Sequence, residues 1–322
     1  MDKVFVTGAN GLLGTNLVLK LIEQGFAVCA LVRQKNSFIK PHLRNLTLIE
    51  GDLSDSKKLA NQITGCQHVV HIAANTSQKL LKLEDYYDTN VLGVKNIIEA
   101  CIENKIKKLI YVGTANTYGY GNELDLGREE YPMRSPFTKS LYALSKNQAQ
   151  IIIDKAVAQL NITTISPTFM IGAYDSKPSS GRIILMALDK RFVVYPSGGK
   201  NFVHVSDVAN AIIKAFELKQ SGQKYILANE NISYKDFYKR VVSINKQKTI
   251  LIPIPDFLIL FIGLIGDIFR FFGIKTDVSS VNTRVLTITN YYTNEKVKKA
   301  LNIKFTPIDK AIRDLLEYFN NR

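Results

Sequence analysis

The chain places a tyrosine and a lysine four residues apart, Tyr142 and Lys146, in a segment of helical composition over residues 140–160. Residues at this spacing lie on one face of a helix. A phenol can give a proton to a carbonyl oxygen or take one from an alcohol. We expect the ammonium of Lys146 to favour the phenolate and lower the tyrosine pKa from its free value of about 10. The pair predicts acid–base chemistry on a hydroxyl or a carbonyl.

A second constellation opens the chain, where three glycines follow an apolar run over residues 3–6. A strand, a glycine turn and a helix together hold the pyrophosphate of a dinucleotide. Gly8 permits the sharp turn, Gly11 lets backbone N–H groups approach phosphate, and Gly14 lets the helix pack on the strand. The N-terminus of the helix then presents free N–H groups and a positive dipole end. The residues predicted to bind the cofactor here are Gly8, Asn10, Gly11, Leu12, Leu13 and Gly14.

The end of the second predicted strand, over residues 28–33, indicates which dinucleotide binds. An NAD site places a carboxylate about 20 residues past the glycines, to bind the adenosine ribose. This chain has Arg33 there, with Lys40 close behind. A guanidinium binds a 2′-phosphate, often through two hydrogen bonds. The sequence therefore favours NADP(H), with NAD(H) as the alternative if Arg33 stacks on the adenine or is solvated. An oxidised nicotinamide would help to lower the pKa of Tyr142, and Lys146 would hold the nicotinamide ribose.

Taken together, these segments resemble the extended short-chain dehydrogenases/reductases, the NAD-dependent epimerase/dehydratase family. This group contains sugar-nucleotide epimerases, dihydroflavonol reductases and 3β-hydroxysteroid dehydrogenases. The resemblance spans essentially the whole chain. Besides the glycine motif and the Tyr–Lys pair, it is carried in family order by residues 51–53, 71–74, 90–93, 111–114, 166–168 and 202–208.

The resemblance implies further cofactor contacts at the ends of predicted strands, where open α/β sheets bind ligands. Asp52 and Leu53 would contact the adenine. Ala73 and Ala74 would line the cofactor cleft, and the backbone near Pro167 would lie by the nicotinamide. These positions are expectations taken from the family.

The resemblance also implies a third catalytic residue, Thr114, whose hydroxyl would hydrogen-bond the substrate oxygen. Its neighbour Gly113 replaces a serine common in the family and is expected to open the floor of the site. Asn90 matches a family asparagine, and we expect it to brace the central strands. His71 is interpreted as a core histidine and is left out of the predicted site.

The expected function is an NADP(H)-dependent oxidoreductase that interconverts a ketone or aldehyde and an alcohol. A sugar-nucleotide epimerase with tightly bound NAD is the alternative, disfavoured by Arg33 and by Ser166 where such enzymes often have arginine. A non-catalytic NADP-sensing regulator is a second alternative, disfavoured by the intact Tyr–Lys pair. Dehydration is disfavoured, since Ala115 and Asn116 follow the threonine in place of an acidic residue.

Alternation of strands and helices up to about residue 165 predicts an α/β fold, a doubly wound parallel sheet (Rossmann) with a smaller C-terminal substrate-binding lobe. We expect residues 1–165 to form the dinucleotide-binding core and 166–322 mainly the lobe, with about 201–220 returning to the core. Three cations of the lobe could bind an anionic substrate group or be solvated, the second being favoured for each: Lys177, Arg182 and Lys200.

Residues 250–274 form an unusually apolar stretch, in which Phe257 to Gly266 carry no charge. Ten residues are too few to span a bilayer, which takes about 20. One interpretation is a lid or lobe helix buried in the fold. The other is an interfacial helix or a wall for an apolar substrate, in which case the net charge of +14 would assist membrane-surface contact.

The distribution of lysines and cysteines along the chain indicates which partners and ligands to expect. Lysines are scattered and not interleaved with aromatics, so no nucleic-acid partner is expected. Three cysteines, at 29, 66 and 101, have no metal-ligand spacing, so no metal site is predicted. With no N-terminal signal sequence in view, we expect a cytoplasmic protein with reduced thiols and a small-molecule carbonyl or alcohol substrate. The family resemblance is compatible with a homodimer through the helices that contain Asn90 and Tyr142.

Overall fold

A computed structural model describes residues 1–40, 42–176 and 179–321. The strands are β1 (Lys3–Thr7), β2 (Ala27–Val32), β3 (Leu46–Glu50), β4 (His68–His71), β5 (Lys108–Val112), β6 (Ile162–Pro167), β7 (Phe169–Ile171), β8 (Phe192–Tyr195), β9 (Gly199–His204), β10 (Gln223–Leu227), β11 (Glu230–Ser233), β12 (Ile250–Pro253) and β13 (Thr289–Asn290). The helices are α1 (Leu12–Glu23), α2 (Ser56–Ile63), α3 (Gly93–Glu103), α4 (Leu141–Ala156), α5 (Arg182–Leu185), α6 (Val205–Lys214), α7 (Tyr234–Ile244), α8 (Asp256–Phe271), α9 (Ser280–Leu286), α10 (Glu295–Leu301) and α11 (Ile308–Asn320).

Seven parallel strands form the main sheet, in the order β10–β6–β5–β4–β1–β2–β3. Chain order reverses between β1 and β4, which makes their carboxyl ends the topological switch point of the sheet. The predicted doubly wound α/β fold is confirmed. The glycine turn leaves the end of β1, and residues 72–74 leave the end of β4, so these two segments meet at the switch point.

Helices cover both faces of the sheet. One face is packed by α1 and α6, whose apolar residues form one core with the strands, for example Leu17 and Ile212. The other face is packed by α2, α3 and α4, for example through Leu59, Ile97 and Ile153. Both α6 and β10 belong to the C-terminal half of the chain, so that half contributes a helix and an edge strand to the nucleotide-binding body.

The remainder of the C-terminal half forms a smaller lobe around β9. This strand pairs antiparallel with β11 and parallel with β7 and β13. Helices α7 and α11 cover the sheet, and the rings of Phe202 and Phe237 stack at 4.3 Å between centroids. A separate two-stranded parallel ribbon, β8 with β12, leads into α8. The lobe is thus built around its own apolar core.

Helix α8 packs through a narrow stripe, in which Ile259, Gly263 and Gly266 are buried. Apart from Leu260, which is half-buried, its other apolar side chains are exposed: Phe261 is 59% and Ile268 57% accessible. The interpretation of this segment as a helix buried in the fold is therefore wrong. Within the described residues, no helix is long and apolar enough to cross a membrane.

Candidate functional site

The glycine turn after β1 is constrained by the protein's own backbone at two of its three glycines. Gly8 has φ +68°, and a Cβ there would lie 2.8 Å from the backbone N of Ala73. A Cβ on Gly14 would lie 2.1 Å from the carbonyl oxygen of Gly8. At Gly11 the nearest atom is 3.5 Å away, an ordinary contact distance. Gly8 and Gly14 are needed by the fold, whereas the fold itself leaves room for a side chain at Gly11.

The N-terminus of α1 opens beside this turn. Gly11 is its N-cap and offers no side chain to satisfy the first N–H groups, and its first turn has no acidic residue. The first N–H groups of a helix lack partners within the helix. The N–H of Gly11 donates to the carbonyl of Gly8 at 3.1 Å, so the donors that fit an anionic group of a dinucleotide are those of Leu12 to Gly14, beside a backbone surface free of Cβ at Gly11.

A buried hydrogen-bond cluster fixes the segment after β4 against the turn. The hydroxyl of Thr7 accepts from the backbone N–H groups of Ile72 and Ala73, each at 3.1 Å, and lies 2.9 Å from Nδ1 of His71. Burial lowers the pKa of His71 to about 3, so its ring is neutral. Because the hydroxyl already accepts twice, we assign its proton to the bond with Nδ1. His71 lies in the core, as expected, and helps to hold Ala73 and Ala74 beside Gly8.

The loop after β2 carries the cations predicted to bind a 2′-phosphate. Arg33 and Lys40 are both exposed. The side-chain amide of Asn10 donates to the hydroxyl of Ser37 at 2.9 Å, which ties the glycine turn to this loop. The ammonium of Lys40 lies 6.0 Å from the ring centroid of Tyr174. The structure thus brings Asn10 to the predicted phosphate loop.

The segment after β3 presents one of its two predicted adenine contacts to solvent and buries the other. Asp52 is exposed and accepts from the backbone N–H and the hydroxyl of Ser54, at 2.9 and 2.5 Å, and these bonds lower its pKa. Leu53 is 8% exposed, and its carbonyl accepts from Asn96 at 2.7 Å. A Cβ at Gly93 would lie 2.8 Å from the Leu53 side chain, so that side chain packs on α3.

Helix α4 positions the predicted acid–base pair. It begins at Leu141, capped by the hydroxyl of Ser140, and Tyr142 lies in its first turn. One turn further, Lys146 is 3% exposed and donates to the carbonyl of Val112 at 2.9 Å. Its ammonium also lies 4.4 Å from the ring centroid of Tyr111. Lys146 therefore anchors the start of α4 to the carboxyl end of β5.

The protonation of this pair differs from the sequence-based expectation. Burial raises the pKa of Tyr142 to about 12, and a hydrogen bond with Thr114 offsets this only in part. Burial also lowers the pKa of Lys146 to about 7. The predicted lowering of the Tyr142 pKa by the ammonium is therefore wrong for the protein by itself, because desolvation penalises both charged forms. Tyr142 holds its proton at neutral pH.

Thr114 lies two residues past β5 and is 8% exposed. The expectation that Gly113 opens the floor of the site is wrong. A Cβ on that glycine would lie 2.6 Å from the hydroxyl oxygen of Ser166 and 3.3 Å from a methyl carbon of Thr164. The space beside Gly113 is occupied by these side chains of β6. Pro167, the last residue of β6, is buried.

Asn90 braces a loop against a helix, and not the central strands as expected. Its side chain accepts from the backbone N–H of Asn75 at 2.7 Å and donates to the carbonyl of Asn75 at 3.0 Å. It also donates to the hydroxyl of Ser145 at 2.9 Å. Asn90 thereby fixes the loop after β4 to α4 at the residue before Lys146.

Two residues near the site, Tyr86 and Ser145, were not predicted from any local sequence pattern. Tyr86 is buried, donates through its hydroxyl to the carbonyl of Ser77, and its ring centroid is 6.5 Å from that of Tyr142. Ser145 receives the bond from Asn90. Both act through contacts with segments distant along the chain, so no local spacing could have identified them.

The three lobe cations considered as binders of an anionic substrate group differ in their surroundings. Lys177 lies outside the described residues. Arg182 forms an ion pair with Asp277 at 3.4 Å. Lys200 stands 4.3 Å from the ring centroid of Phe169, and burial lowers its pKa to about 8, so its interpretation as a solvated charge is wrong.

Comparison with known proteins agrees with this geometry. Residues 4–229 match the NAD dependent epimerase/dehydratase family. A protein of Synechocystis sp., provisionally named a dihydroflavonol 4-reductase, is 30% identical over 331 residues, which cover 99% of this chain and 95% of the relative. The UDP-glucose 4-epimerase of Halalkalibacterium halodurans is 28% identical over 247 residues, covering 68% of this chain and 72% of the relative.

Two further similarities extend this picture. A ketoreductase of Stigmatella aurantiaca is 29% identical over 232 residues, covering 70% of this chain and 68% of the relative. Its name gives the substrate as 4-hydroxy-2-methyl-3-oxo-4-farnesyl-3,4-dihydroquinoline-1-oxide. The crystal structure of gox2253 matches with a TM-score of 0.85 at 27% identity and covers 100% of this chain and 98% of that one. Reductases and epimerases both occur among the similar proteins.

Proposed function

The chain belongs to the NAD dependent epimerase/dehydratase family, as an NAD(P)-dependent oxidoreductase or epimerase of the extended short-chain dehydrogenase type, and within it we propose that it is an NADP(H)-dependent carbonyl reductase. The observation that carries this proposal is Tyr142, which is half-buried in the first turn of α4, interacts with Thr114 and holds its proton at neutral pH. A phenol that keeps its proton at neutral pH is the form that donates to a carbonyl oxygen. Reduction of a ketone or aldehyde is the direction it serves, and the reverse oxidation uses the same residues.

The residues of the site would divide the chemistry among them. When bound, the nicotinamide cofactor supplies the hydride. The glycine turn would bind its pyrophosphate, and Lys146 its ribose. Thr114 orients the substrate oxygen, and Tyr142 gives that oxygen a proton as the alcohol forms. Desolvation around the two side chains strengthens the hydrogen bonds that align them.

The choice of NADP(H) depends on the loop after β2. Arg33 and Lys40 are exposed at this loop, and the Asn10–Ser37 hydrogen bond joins it to the glycine turn. Asp52, the acid after β3, is engaged by Ser54. A 2′-phosphate placed at this loop would gain charge-assisted hydrogen bonds from Arg33.

An apolar ketone is the substrate class we propose. The name of the Stigmatella aurantiaca relative describes reduction of a farnesyl-bearing ring ketone. The ring of Tyr86, 6.5 Å from that of Tyr142 between centroids, gives an aromatic neighbour to the proposed proton donor. A sugar-nucleotide epimerase with retained NAD is the second candidate, favoured by the similarity to a UDP-glucose 4-epimerase.

The experiment that tests the proposal begins with the freshly purified protein, denatured to identify any released nucleotide, followed by titration with NADPH and NADH. We expect no retained nucleotide and at least about tenfold tighter binding of NADPH, the effect of a charge-assisted contact with phosphate. Arg33→Ala should weaken NADPH binding and leave NADH binding unchanged. Arg44→Ala, an exposed arginine further along the chain, is the matched control. Stoichiometric retained NAD would move the epimerase to first place.

The third candidate, a non-catalytic NADP sensor, makes a separate prediction. For a sensor, Tyr142→Phe would leave the biological activity intact, because only binding would be required. For a reductase, the same variant loses turnover. A cellular assay of this variant, beside its NADPH affinity in solution, distinguishes the two functions.

We also propose a homodimer through the outer surface of residues 83–92, which lead into α3, and of α4. A mainly apolar groove there is lined by Leu83, Tyr87, Val91, Ile151 and Ile152, together with the polar Glu84 and Gln148. Tyr87 is 44% and Ile151 48% exposed, although both are large apolar side chains. Light scattering should give a dimer for the native chain and a monomer for Ile151→Asp. A monomeric native protein would contradict this assembly.

A further inference from the structure

Helix α8 and the ribbon formed by β8 and β12 expose apolar side chains in an ordered arrangement, which we call the outer apolar face. On α8, residues at helical spacing line up as one exposed ridge, and a second ridge lies next to it. The first ridge is Phe257, Phe261, Leu264, Ile268 and Phe271, and the second is Leu258, Ile262, Ile265, Phe269 and Phe272. On the ribbon, the exposed residues are Phe192, Val194, Ile250 and Ile252.

The ribbon and the helix form one continuous feature of the chain. In the parallel ribbon Phe192 pairs with Ile250, and Val194 pairs with Ile252, so the exposed side chains stand side by side. Ile254, directly after β12, donates its backbone N–H to the carbonyl of Tyr195 at 2.9 Å. The chain then enters α8 two residues later.

The buried stripe of α8 holds this face outward. A Cβ on Gly266 would lie 2.4 Å from the carbonyl oxygen of Val278, which shows how closely α8 approaches the segment before α9. The carboxylate of Asp267 accepts from the backbone N–H of Ser280 at 3.1 Å. The polar residues of α8 thus bond inward, and the apolar ridges are fixed on the opposite side.

Arg270 connects α8 to the loop that follows β4. Its guanidinium donates to the carbonyls of Gln78 at 3.2 Å and Leu80 at 2.5 Å, and to that of Thr276 at 2.9 Å. The same loop contains Asn75, which Asn90 holds against α4. A surface that binds the outer apolar face would therefore lie next to the loop that borders the catalytic helix.

The charges around the face are arranged for an anionic surface. Lys190 and Arg191 precede β8, and Lys246 and Lys248 precede β12. Because the ribbon is parallel, all four lie at its same end. All four are exposed, and within the described part of the chain none forms an ion pair.

Most acidic residues of the same segments have partners within the protein, whereas Asp189, next to Lys190, is exposed and accepts from the side-chain amide of Asn245 at 3.5 Å. Asp277 pairs with Arg182 and Lys79, Asp256 accepts from the hydroxyl of Ser197 at 2.6 Å, and Asp267 is bonded as above. The four cations of the ribbon outnumber the carboxylate of Asp189, so a net positive charge lies beside exposed phenylalanine, leucine and isoleucine. This combination is typical of helices that lie in the interface of a membrane with anionic lipids.

We propose that the outer apolar face docks the protein on the surface of an anionic lipid bilayer, with the two ridges of α8 in the interface and the cations of the ribbon on the lipid headgroups. A second copy of the chain would cover the apolar ridges but would bring only more positive charge to the ribbon. Anionic lipid satisfies both parts of the surface. The proposal does not rest on the reductase activity, because it requires neither cofactor nor Tyr142.

The chain contains no tryptophan, which allows a direct test. Phe261→Trp places a single indole on the first ridge, and Leu124→Trp places one at a side chain that is 98% exposed and distant in sequence from the face. With vesicles of phosphatidylcholine and phosphatidylglycerol, we expect a blue shift and enhancement of indole emission from the Phe261→Trp protein only. Phosphatidylcholine vesicles alone should give a much smaller shift.

Charge variants complete the experiment. Replacement of Lys190 and Lys248 by glutamine should lower vesicle affinity by about 25-fold, since each cation near an anionic surface contributes about fivefold. Phe261→Asp with Phe269→Asp should abolish cosedimentation, and Leu124→Asp should not. All variants should bind NADPH like the native chain, and Tyr142→Phe should bind vesicles normally, which separates this proposal from the reductase.

Two results would overturn the proposal. One is an indole emission spectrum of the Phe261→Trp protein that anionic vesicles leave unchanged. The other is a stable oligomer, measured by light scattering, that Phe261→Asp dissociates while native protein stays unbound to vesicles. That second result would assign the face to another copy of the chain.

Discussion

At the scale of single residues, burial governs the two groups that the sequence placed on one helix face. Tyr142 and Lys146 both shift toward their uncharged forms, with pKa values of about 12 and about 7. The lysine is oriented by the carbonyl of Val112, and the tyrosine by its hydrogen bond with Thr114. In this protonation state Tyr142 would serve the proposed reduction as the proton donor.

The first prediction concerns Tyr142. Tyr142→Phe removes the hydroxyl that would protonate the substrate oxygen, so kcat for ketone reduction should fall by about 10² to 10⁴. The Kd for NADPH should stay within about twofold, because the ring remains in place. Tyr87→Phe, on an exposed tyrosine near α3, is the control. Retained turnover in Tyr142→Phe would show that another group supplies the proton.

The second prediction separates the glycines of the turn. Gly11→Ala meets no atom closer than 3.5 Å, so the protein should keep its stability and lose NADPH affinity as the Cβ meets the phosphate. Gly14→Ala would place a Cβ 2.1 Å from the carbonyl of Gly8, so the fold itself should be destabilised. Urea unfolding and NADPH titration of both variants check this. Equal effects of the two variants on stability would contradict the assignment of Gly11 to the ligand.

At the scale of elements, α8 shows how a helix that is apolar nearly all round is positioned. Its buried stripe consists of Ile259, Gly263 and Gly266, followed by Arg270, at helical spacing. The glycines let the backbone of α8 approach the segment 278–280 closely. Small side chains, and not large apolar ones, therefore decide which side of this helix faces the protein.

The third prediction tests that contact. Gly266→Ala places a Cβ 2.4 Å from a backbone oxygen that cannot rotate away, so α8 must shift. We expect the free energy of unfolding to fall by about 1–3 kcal/mol, the usual cost of overpacking. Ile262→Ala, on the exposed second ridge, should change it by less than about 0.5 kcal/mol. Chemical denaturation of the two variants provides the measurement, and a larger loss in Ile262→Ala would show that the ridge is covered.

At the scale of the whole molecule, three lysines with lowered pKa values couple folding to pH. The pKa values of Lys108 and Lys200 are lowered to about 8 and that of Lys146 to about 7, from 10.5, in each case by burial. Between about pH 7 and 10 the unfolded chain therefore binds more protons than the folded one. The free energy of unfolding must rise with pH across this window, as far as these groups are concerned.

The fourth prediction follows from this rise of the free energy of unfolding with pH. Urea unfolding should show higher stability at about pH 9 than at about pH 7.5. Lys146→Met removes one of the buried cations, so it should reduce this slope and should stabilise the protein most at the lower pH. Lys57→Met, on an exposed lysine, is the matched control. A slope that Lys146→Met leaves unchanged would show that Lys146 stays charged in the folded protein.

The sequence by itself determined what depends on local order along the chain. The strand, glycine turn and helix around Gly8 to Gly14 follow from apolar periodicity and glycine spacing. The Tyr142–Lys146 pair follows from helical periodicity, and the alternation of strands and helices fixed the class of the sheet. Each of these signals lies within a few residues or repeats regularly, so the fold class and the family could be predicted and are confirmed.

Only the tertiary structure decided what depends on burial and on contacts between distant segments. Three features of the site each require neighbours from another element. They are the proton on Tyr142, the hydrogen bonds from Asn90 to Asn75 and Ser145, and the filled space beside Gly113. The exposure of α8 is the clearest case. Its composition is the same for a buried or an interfacial helix, and only the close approach at Gly266 shows which side faces outward. Burial depends on the whole chain, and no local pattern contains it.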